Sequence, residues 1–324
     1  FLQYVLTLLT EDEVAAGHLY TAYRAFAASE KAGAATERLQ ALHRYGSIYK
    51  ALQEGHANAR VRLFFERLGT MDISTAYPFL LKLFDVIGDR HELVTEVLGD
   101  LESFLVRRMV CRLSTRGYNR LFTDLVHALA GEPDDIPVRV RAALGAGTAE
   151  FDRWPDDDEF GKAWSENPLF ENLTRPRLRL LLEALESGLR HEFAETQSVP
   201  RNLTVEHVLP QSWEMFWPLP EGRNETEAKV ARHGLIHTIG NLTLLNGKLN
   251  PAQSNKPWLD GNDPDEGKRE ALREFSVLYL NKQLCDYDTW NEETIRSRGQ
   301  SLLEIARDTW PRSKPVLRAC PRSP

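Results

Sequence analysis

Four polar side chains in the second half of the chain have the chemistry that phosphodiester hydrolysis requires. Glu206 and His207 are adjacent at the end of the apolar stretch TVEHV, and Asn241 and Asn250 follow in GNLTLLNGKLN. Histidine titrates near neutrality and can deprotonate a water molecule. Carboxylate and amide oxygens are hard ligands that suit Mg²⁺, and such an ion stabilises a pentavalent phosphate and the departing oxygen. This combination predicts metal-assisted hydrolysis in which His207 generates the nucleophile.

Glu206 and His207 can serve one site only if the strand that carries them stops there. Side chains alternate between the two faces of a regular strand, so neighbours point in opposite directions. The stretch LTVEHV has the short, β-branched, alternating pattern of a strand. Pro210 favours an end at this point, because a proline restricts the residue before it and interrupts the ladder that follows. The sequence therefore predicts that the strand ends beside His207 and lets both groups converge.

The elements around this pair predict a mainly α fold with a small α+β domain. Upstream, apolar residues recur at steps of three and four, which predicts helices, whereas Asp152 to Pro168 is expected to be a partly exposed connection. A long loop is expected after the first strand, followed by a second strand, NLTLLN, entered through Gly240, and by a turn in PAQSNKPW. The stretch from Lys268 to Leu284 and the stretch TIRSRGQSLLEIARDTW predict two final helices. The expected domains are a helical one, residues 1–195, and a mixed one, residues 196–324.

Composition limits the class of protein. The chain has 324 residues, of which 42% are hydrophobic and 27% charged, as expected of a folded protein with two domains. No stretch approaches the roughly 18 uncharged apolar residues of a membrane span, so no membrane partner is expected. Three widely separated cysteines argue against a zinc knuckle and suit a reducing cytoplasm. The net charge of −7 argues against a general nucleic-acid coat but allows a local phosphate-binding surface.

The same motifs resemble a known family of nucleases. VEHVLP with IGNLTLLNGKLN is similar to the His-Asn-His nuclease motif and its ββα-metal hairpin. More closely, VEHVLPQSW, HTIGNLTLLNGKLNPAQSNKPW and TIRSRGQSLLEIARDTW resemble the C-terminal nuclease domain of GmrSD-type restriction enzymes, a group that includes phosphorothioation-linked bacterial defence nucleases. LESFLVRRMVCRLSTRGYNRLF resembles the helical region that precedes that domain. The resemblance covers most of the chain and is strongest from Thr204 to Trp258.

The resemblance implies a role for each of the four residues. His207 matches the general base, and Glu206 matches the acidic metal ligand that precedes it. Asn241 matches the asparagine that braces the hairpin and orients the base. Asn250 matches a second ligand, and the expected ion is Mg²⁺ or Mn²⁺. One base and one metal per site imply that the enzyme nicks one DNA strand at a time.

Activity and partners follow from the same resemblance. It implies a metal-dependent endonuclease of a bacterial anti-phage restriction system that acts on double-stranded DNA in the cytoplasm. Residues 196–324 would carry the His-Asn-His nuclease, and residues 1–195 would position or regulate it. The sequence contains neither a DGQQR-type motif nor GxxxxGK. It is therefore expected to be the C-terminal portion of a longer protein with a nucleotide-hydrolysing N-terminal domain. The cysteines of zinc-knuckle relatives are also missing here, so the scaffold must rest on hydrophobic packing.

Several neighbouring residues have a structural interpretation beside the functional one. His237 could contact phosphate or assist the base, and packing at a helix end is the alternative. Asn255 and Lys256 could hold a phosphate, and a solvated lysine is the alternative. Lys256, Lys248 and Arg232 predict a small basic patch for the DNA backbone. For the whole chain, the alternative to an enzyme is a non-catalytic DNA-binding or assembly module that retains the nuclease fold.

Overall fold

The computed structural model describes residues 1–190, 199–200, 202–215, 217–220, 222, 224–246, 256–259 and 267–312. Their contacts divide the chain into two compact units. The first contains Phe1–Arg108, Leu113–Trp154 and Arg312, and the second contains Met109–Arg112 and the described part of Pro155–Pro311. Within the described ranges, no helix is long and apolar enough to cross a membrane.

The first unit is helical, as the spacing of its apolar residues predicts. In α5, the side chains of Phe79, Leu80 and Leu83 are fully buried, and Gly88, with a φ of 60°, follows the last helical residue. Asn58 begins α4, because its Oδ1 accepts a hydrogen bond from the backbone N of Arg60 over 2.8 Å. The helices are α1 (Leu2–Thr10), α2 (Leu19–Ala27), α3 (Ala35–Glu54), α4 (Ala59–Met71), α5 (Tyr77–Ile87), α6 (His91–Val110), α7 (Tyr118–His127) and α8 (Ile136–Ala146).

The second unit combines helices with one small sheet. Its elements are α9 (Asp157–Glu166), α10 (Leu169–Asn172), α11 (Arg175–Gly188), β1 (Leu203–His207), α12 (Glu225–Ile236), β2 (Leu242–Asn246), α13 (Lys268–Phe275), α14 (Tyr279–Leu284) and α15 (Glu292–Thr309). The molecule is thus mainly helical with a two-stranded antiparallel sheet. The helix expected after β2 in a ββα hairpin falls largely outside the described residues.

The expected connection from Asp152 to Pro168 is instead mostly helix α9. Asp156 caps this helix, since its carboxylate accepts from the backbone N of Asp158 at 3.1 Å and of Glu159 at 2.8 Å. Acidic residues in the first turn also interact favourably with the helix dipole. Phe160 and Trp164, four residues apart, are both fully buried. The acidic residues therefore begin a packed helix. The segment is partly exposed, as predicted, but the prediction that it is a connection was wrong.

Two other elements differ from the predictions. The long loop between the strands contains α12, which Asn224 caps by accepting from the backbone N of Thr226 over 3.0 Å. The single helix predicted from Lys268 to Leu284 is two helices, α13 and α14, separated by residues 276–278. The last predicted helix is confirmed as α15.

Strands β1 and β2 pair antiparallel, with Glu206 opposite Thr243 and His207 opposite Leu242. Leu242 and Leu244 are fully buried on β2. The described indoles of this region lie in one buried apolar cluster, namely those of Trp213, Trp217, Trp258 and Trp290. The sheet is therefore fixed against a packed core at the point where the candidate base lies.

Candidate active site

His207 is the last residue of β1, which confirms the predicted end of the strand. After it, the backbone N of Val208 still donates to the carbonyl of Asn241 over 2.8 Å. The buried amine of Lys268 donates to the carbonyls of His207 at 3.0 Å and Val208 at 2.9 Å. These bonds satisfy backbone groups that the end of the ladder would otherwise leave unpaired. They hold the chain rigidly where it turns away from the sheet.

Asn241 fixes the next residue of this turn. Its Oδ1 accepts from the backbone N of Leu209 at 2.8 Å and from Nε1 of Trp290 at 3.1 Å. Its Nδ2 donates to the carbonyls of Leu209 and Ile236, both at 2.9 Å. The side chain is fully buried, and these four bonds use both amide protons and both lone pairs. Asn241 therefore holds the main chain at Leu209, two residues after His207, and its predicted role in orienting the base stays a prediction.

The imidazole of His207 is held on three sides. Its Nε2 lies 3.2 Å from Nδ1 of His237, and its Nδ1 lies 3.4 Å from Nε2 of Gln211. The ring of Phe170 packs against it with a centroid distance of 4.1 Å. The residue as a whole is 8% exposed. The ring is thus oriented and largely removed from water.

Burial lowers the pKa of His207 to about 3, and His237, Lys268 and Arg175 act in the same direction. The imidazole is therefore neutral at neutral pH and keeps one nitrogen lone pair. Burial also lowers the pKa of the Lys268 amine to about 8, against the charge of Glu206, which raises it.

His237 lies just beyond α12 and connects His207 to α10. Its Nε2 is 3.3 Å from Oε1 of Glu171, and its ring stacks on Phe170 at 5.6 Å and 18°. The backbone N of Phe170 donates to the carbonyl of His237 over 3.1 Å. His237 thus packs at a helix end, as one alternative predicted, and its ring lies beside that of His207. A contact with phosphate or a role in assisting the base stays a prediction.

Arg175, at the start of α11, places an exposed cation beside the candidate base. Its guanidinium carbon lies 3.3 Å from the centroid of the Phe170 ring, and its Nη1 donates to the Phe170 carbonyl. Sequence reasoning missed Phe170, Glu171 and Arg175, because they precede His207 by more than thirty residues. The run TRPRLR could have indicated Arg175 as a functional residue, because it places basic side chains in the first turn of a helix, where acidic ones are favoured.

The metal site stays a prediction. Glu206 is half-buried on β1, whereas Asn250 and Asn255 lie outside the described residues. Lys256 is half-buried, and its contact with phosphate also remains a prediction. Among the side chains that the structure describes, no group of three or more His, Cys, Asp or Glu is placed to hold a metal ion.

Arg232 does not belong to a surface basic patch. It is 3% exposed, and its Nε donates to Glu292 over 2.6 Å in a buried ion pair. Its remaining nitrogens donate to the carbonyls of Trp217 at 2.6 Å and Pro218 at 3.1 Å. The expectation that it contacts DNA was wrong, because its guanidinium is used to join α12 to α15.

Residues 154–305 match the family model of the C-terminal domain of GmrSD restriction endonucleases. This region is a GmrSD C-terminal domain. No curated protein matches the chain. The GmrSD domain begins at the boundary between the two compact units and includes α9–α11, which sequence reasoning had grouped with the helical domain. All residues of the candidate site therefore belong to a nuclease module of the restriction-endonuclease type.

Proposed function

We propose that this chain is a metal-dependent DNA endonuclease that nicks one strand at a time in a bacterial anti-phage restriction system. The placement of His207 carries the proposal. It is a neutral, oriented imidazole at the end of a strand, inside a GmrSD C-terminal domain. An imidazole in this state can take a proton from a water molecule.

In the proposed reaction, His207 accepts a proton from water while the water oxygen attacks phosphorus. The bond from phosphorus to one bridging oxygen breaks, and that oxygen takes up a proton from solvent. Arg175, the exposed cation beside the base, contacts the phosphate. One base activates one water molecule at a time, so a double-strand break requires two events or two subunits.

Glu206 and Asn250 are the residues proposed to hold Mg²⁺ or Mn²⁺. Glu206 offers a half-buried hard carboxylate next to the base. Mg²⁺ usually takes only one or two carboxylates and completes its shell with water and phosphate oxygens, so a site with few protein ligands suits it. When bound, the ion would stabilise the negative charge on the phosphate and the departing oxygen.

Target choice is proposed to lie elsewhere in a longer protein. A nucleotide-hydrolysing N-terminal domain would select the DNA, for example by whether it carries phosphorothioate groups. The present chain would then supply the cut.

One observation favours a second candidate, a non-catalytic DNA-binding or assembly module. A base whose pKa is about 3 accepts a proton from water poorly at neutral pH. Bound phosphate would oppose this effect, because a nearby negative charge favours the protonated imidazole. The two candidates differ in whether DNA is cut when it is bound.

Conversion of supercoiled plasmid to the nicked form decides between them. We expect nicking with Mg²⁺ or Mn²⁺ and none with EDTA, and a loss of about 10²–10⁴-fold in His207→Ala, the usual weight of a general base. His233→Ala is the control, because His233 is an exposed histidine on α12 whose ring lies 6.1 Å from that of Trp213. Folded wild-type protein that binds plasmid but never nicks it, with any divalent metal, would favour the non-catalytic module.

A further inference from the structure

We propose that Arg298 is a positioning residue of the candidate active site, which acts by fixing the peptide groups on both sides of Asn241. The inference rests on the proposed function of His207 as a general base. Arg298 lies in the middle of α15 and is 1% exposed. Its Nη1 donates to the carbonyl of Gly240 over 2.8 Å and to that of Leu242 over 2.7 Å. One guanidinium thus holds the residue before Asn241 and the residue after it.

The carbonyl between these two is held from a different side. The carbonyl of Asn241 accepts from the backbone N of Val208 over 2.8 Å. Because each peptide group is planar, a carbonyl reorients only when the dihedral angles beside it change. Rotation of the Asn241 carbonyl away from Val208 would therefore displace the neighbouring carbonyls from Arg298. The guanidinium opposes this rotation.

The two residues that follow His207 are both attached to Asn241. Val208 is bound through its backbone N, and Leu209 is bound through its backbone N at 2.8 Å and its carbonyl at 2.9 Å. The path of the chain immediately after the candidate base therefore depends on the orientation of Asn241. Arg298 reaches the base through this path and has no direct contact with the imidazole.

The main chain of α15 also packs against this stretch. A Cβ on Gly240 would lie 2.2 Å from the carbonyl oxygen of Ile295 and 3.2 Å from the backbone N of Gly299. No side chain fits in that space, so only glycine permits the approach. Trp290, just before α15, donates to Oδ1 of Asn241 over 3.1 Å. Packing and hydrogen bonds from one region of the chain thus hold the same three residues, 240–242.

Stability alone does not explain an arginine at position 298. Within the ranges that the structure describes, its Nε and Nη2 have no protein hydrogen-bond partner and no carboxylate pairs with it. Burial lowers the pKa of this guanidinium to about 10, so it is still charged at neutral pH. A buried cation without an acidic partner is unfavourable, and an apolar side chain of similar size avoids that penalty. The residue type is therefore better explained by positioning than by the stability of the fold.

Single-turnover nicking, urea denaturation and hydrogen exchange of the full chain test the proposal together. Arg298→Met removes the bonds to both carbonyls but also removes the unpaired buried charge, so the urea midpoint should change little. The nicking rate at saturating DNA should nevertheless fall by about 10–100-fold, because a small displacement of a catalytic group slows a reaction strongly. KM should change little, since Arg298 is buried away from DNA. Exchange of the Val208 amide should become faster relative to the amides of α11.

Three further variants separate positioning from a general effect on the fold. Arg298→Lys keeps a cationic donor and should recover most of the rate and of the Val208 protection. Arg298→Gln is neutral and too short to reach both carbonyls, so it should resemble Arg298→Met. Arg307→Met is the matched control, because Arg307 lies further along the same helix and its Nη2 donates to the carbonyl of Asp157 over 3.1 Å. It should change neither the rate nor the exchange of Val208.

Wild-type nicking by a folded Arg298→Met, or unchanged exchange of its Val208 amide, would overturn the proposal while His207 remains the base. An equal loss of rate in Arg307→Met, or failure of both neutral Arg298 variants to fold, would show that Arg298 serves only the fold and would also overturn it. A wild-type protein that binds plasmid but never nicks it would instead overturn the proposed function. The exchange of Val208 would still report whether Arg298 holds this stretch, so the two failures are distinguishable.

Discussion

Trp290 donates from its indole Nε1 to Oδ1 of Asn241 over 3.1 Å, joining the segment before α15 to the residue that fixes the end of β1. Both side chains are buried. This bond makes the position of His207 depend on a helix that begins 85 residues later in the chain at Glu292.

Removing the Asn241 side chain should destabilise the domain. Asn241→Ala leaves the Leu209 amide, two carbonyls and the Trp290 indole without their partner, so we expect a loss of about 3 kcal/mol or more in the free energy of unfolding. Trp290→Phe removes one of these bonds and should lose about 1 kcal/mol beyond the packing change. Urea denaturation measures both. Equal stability of Asn241→Ala and wild type would show that the residue is not a brace.

The stability of the metal-free protein should fall on acidification through His207. The folded pKa of about 3 is below the ordinary 6.5, so between these values the unfolded chain binds a proton that the folded chain does not. Stability contributed by the neutral imidazole is present above pH 6.5 and is lost as the pH falls toward 3. At pH 5 the loss is on the order of 2 kcal/mol. Denaturation at pH 7 and pH 5 should show a larger drop for wild type than for His207→Gln. An equal drop in both would contradict the burial of this imidazole.

Metal affinity should depend on Glu206 and Asn250. Loss of one oxygen ligand in Glu206→Gln or Asn250→Ala should weaken binding of Mn²⁺ or Mg²⁺ by about tenfold or more, because Mg²⁺ sites have few protein ligands. Calorimetry in the presence of a non-cleavable duplex measures this, since phosphate oxygens help to complete such sites. Glu225→Gln, which changes an exposed carboxylate of α12 that pairs with Lys229 at 2.6 Å, is the control and should keep the wild-type metal affinity. Unchanged affinity in Asn250→Ala would remove that residue from the site.

Arg175 should contribute one phosphate contact to DNA binding. Each contact adds about −0.9 to the slope of log affinity against log salt, so a patch of a few residues should give about −2 to −4, and Arg175→Ala should reduce the slope by about one unit. Arg179→Ala is the control, because Arg179 lies one turn along α11 and pairs with Glu183 at 3.4 Å. A slope that drops equally in both variants would indicate general charge attraction.

The first residue of an isolated nuclease fragment should decide whether that fragment nicks DNA. Residues 155–311 retain α10 and α11, which supply Phe170, Glu171 and Arg175 to the surroundings of His207. A fragment of residues 196–311 loses all three and exposes apolar residues that pack against α11. We expect nicking by the first fragment and at most weak nicking by the second, after circular dichroism has shown that each fragment is folded. Full activity of the shorter fragment would show that α10 and α11 are dispensable.

The sequence by itself determined the local elements around the candidate base. Strands β1 and β2 follow from short alternating apolar stretches bounded by Pro210 and Gly240. Helices α5, α6, α11 and α15 follow from apolar spacing, because a helix that buries one face must repeat it every three or four residues. The resemblance to the GmrSD C-terminal domain was equally readable, since its motifs are contiguous stretches of sequence.

The sequence contains capping residues for α9 and α12, but the acidic and polar composition of both segments favoured the prediction of loops. Asp156 and Asn224 each begin a helix, α9 and α12, in segments whose acidic or polar residues resemble loops. In both cases the acidic first turn stabilises the helix, and only a few buried side chains, such as Trp164 and Ile236, hold it against the core.

Only the tertiary structure decided which distant groups surround His207. A distant group also divides the helix predicted from Lys268 to Leu284. Glu186 of α11 caps the start of α14 by accepting from the backbone N of Tyr279 at 3.1 Å and of Leu280 at 2.9 Å. In the same way Glu171 reaches His237, and Lys268 reaches the His207 carbonyl. Lys268 and His207 are 61 positions apart in the sequence, and Glu186 and Leu280 are 94 positions apart. No periodicity or spacing encodes them, because they depend on how separate helices pack and on which buried polar groups still need a partner.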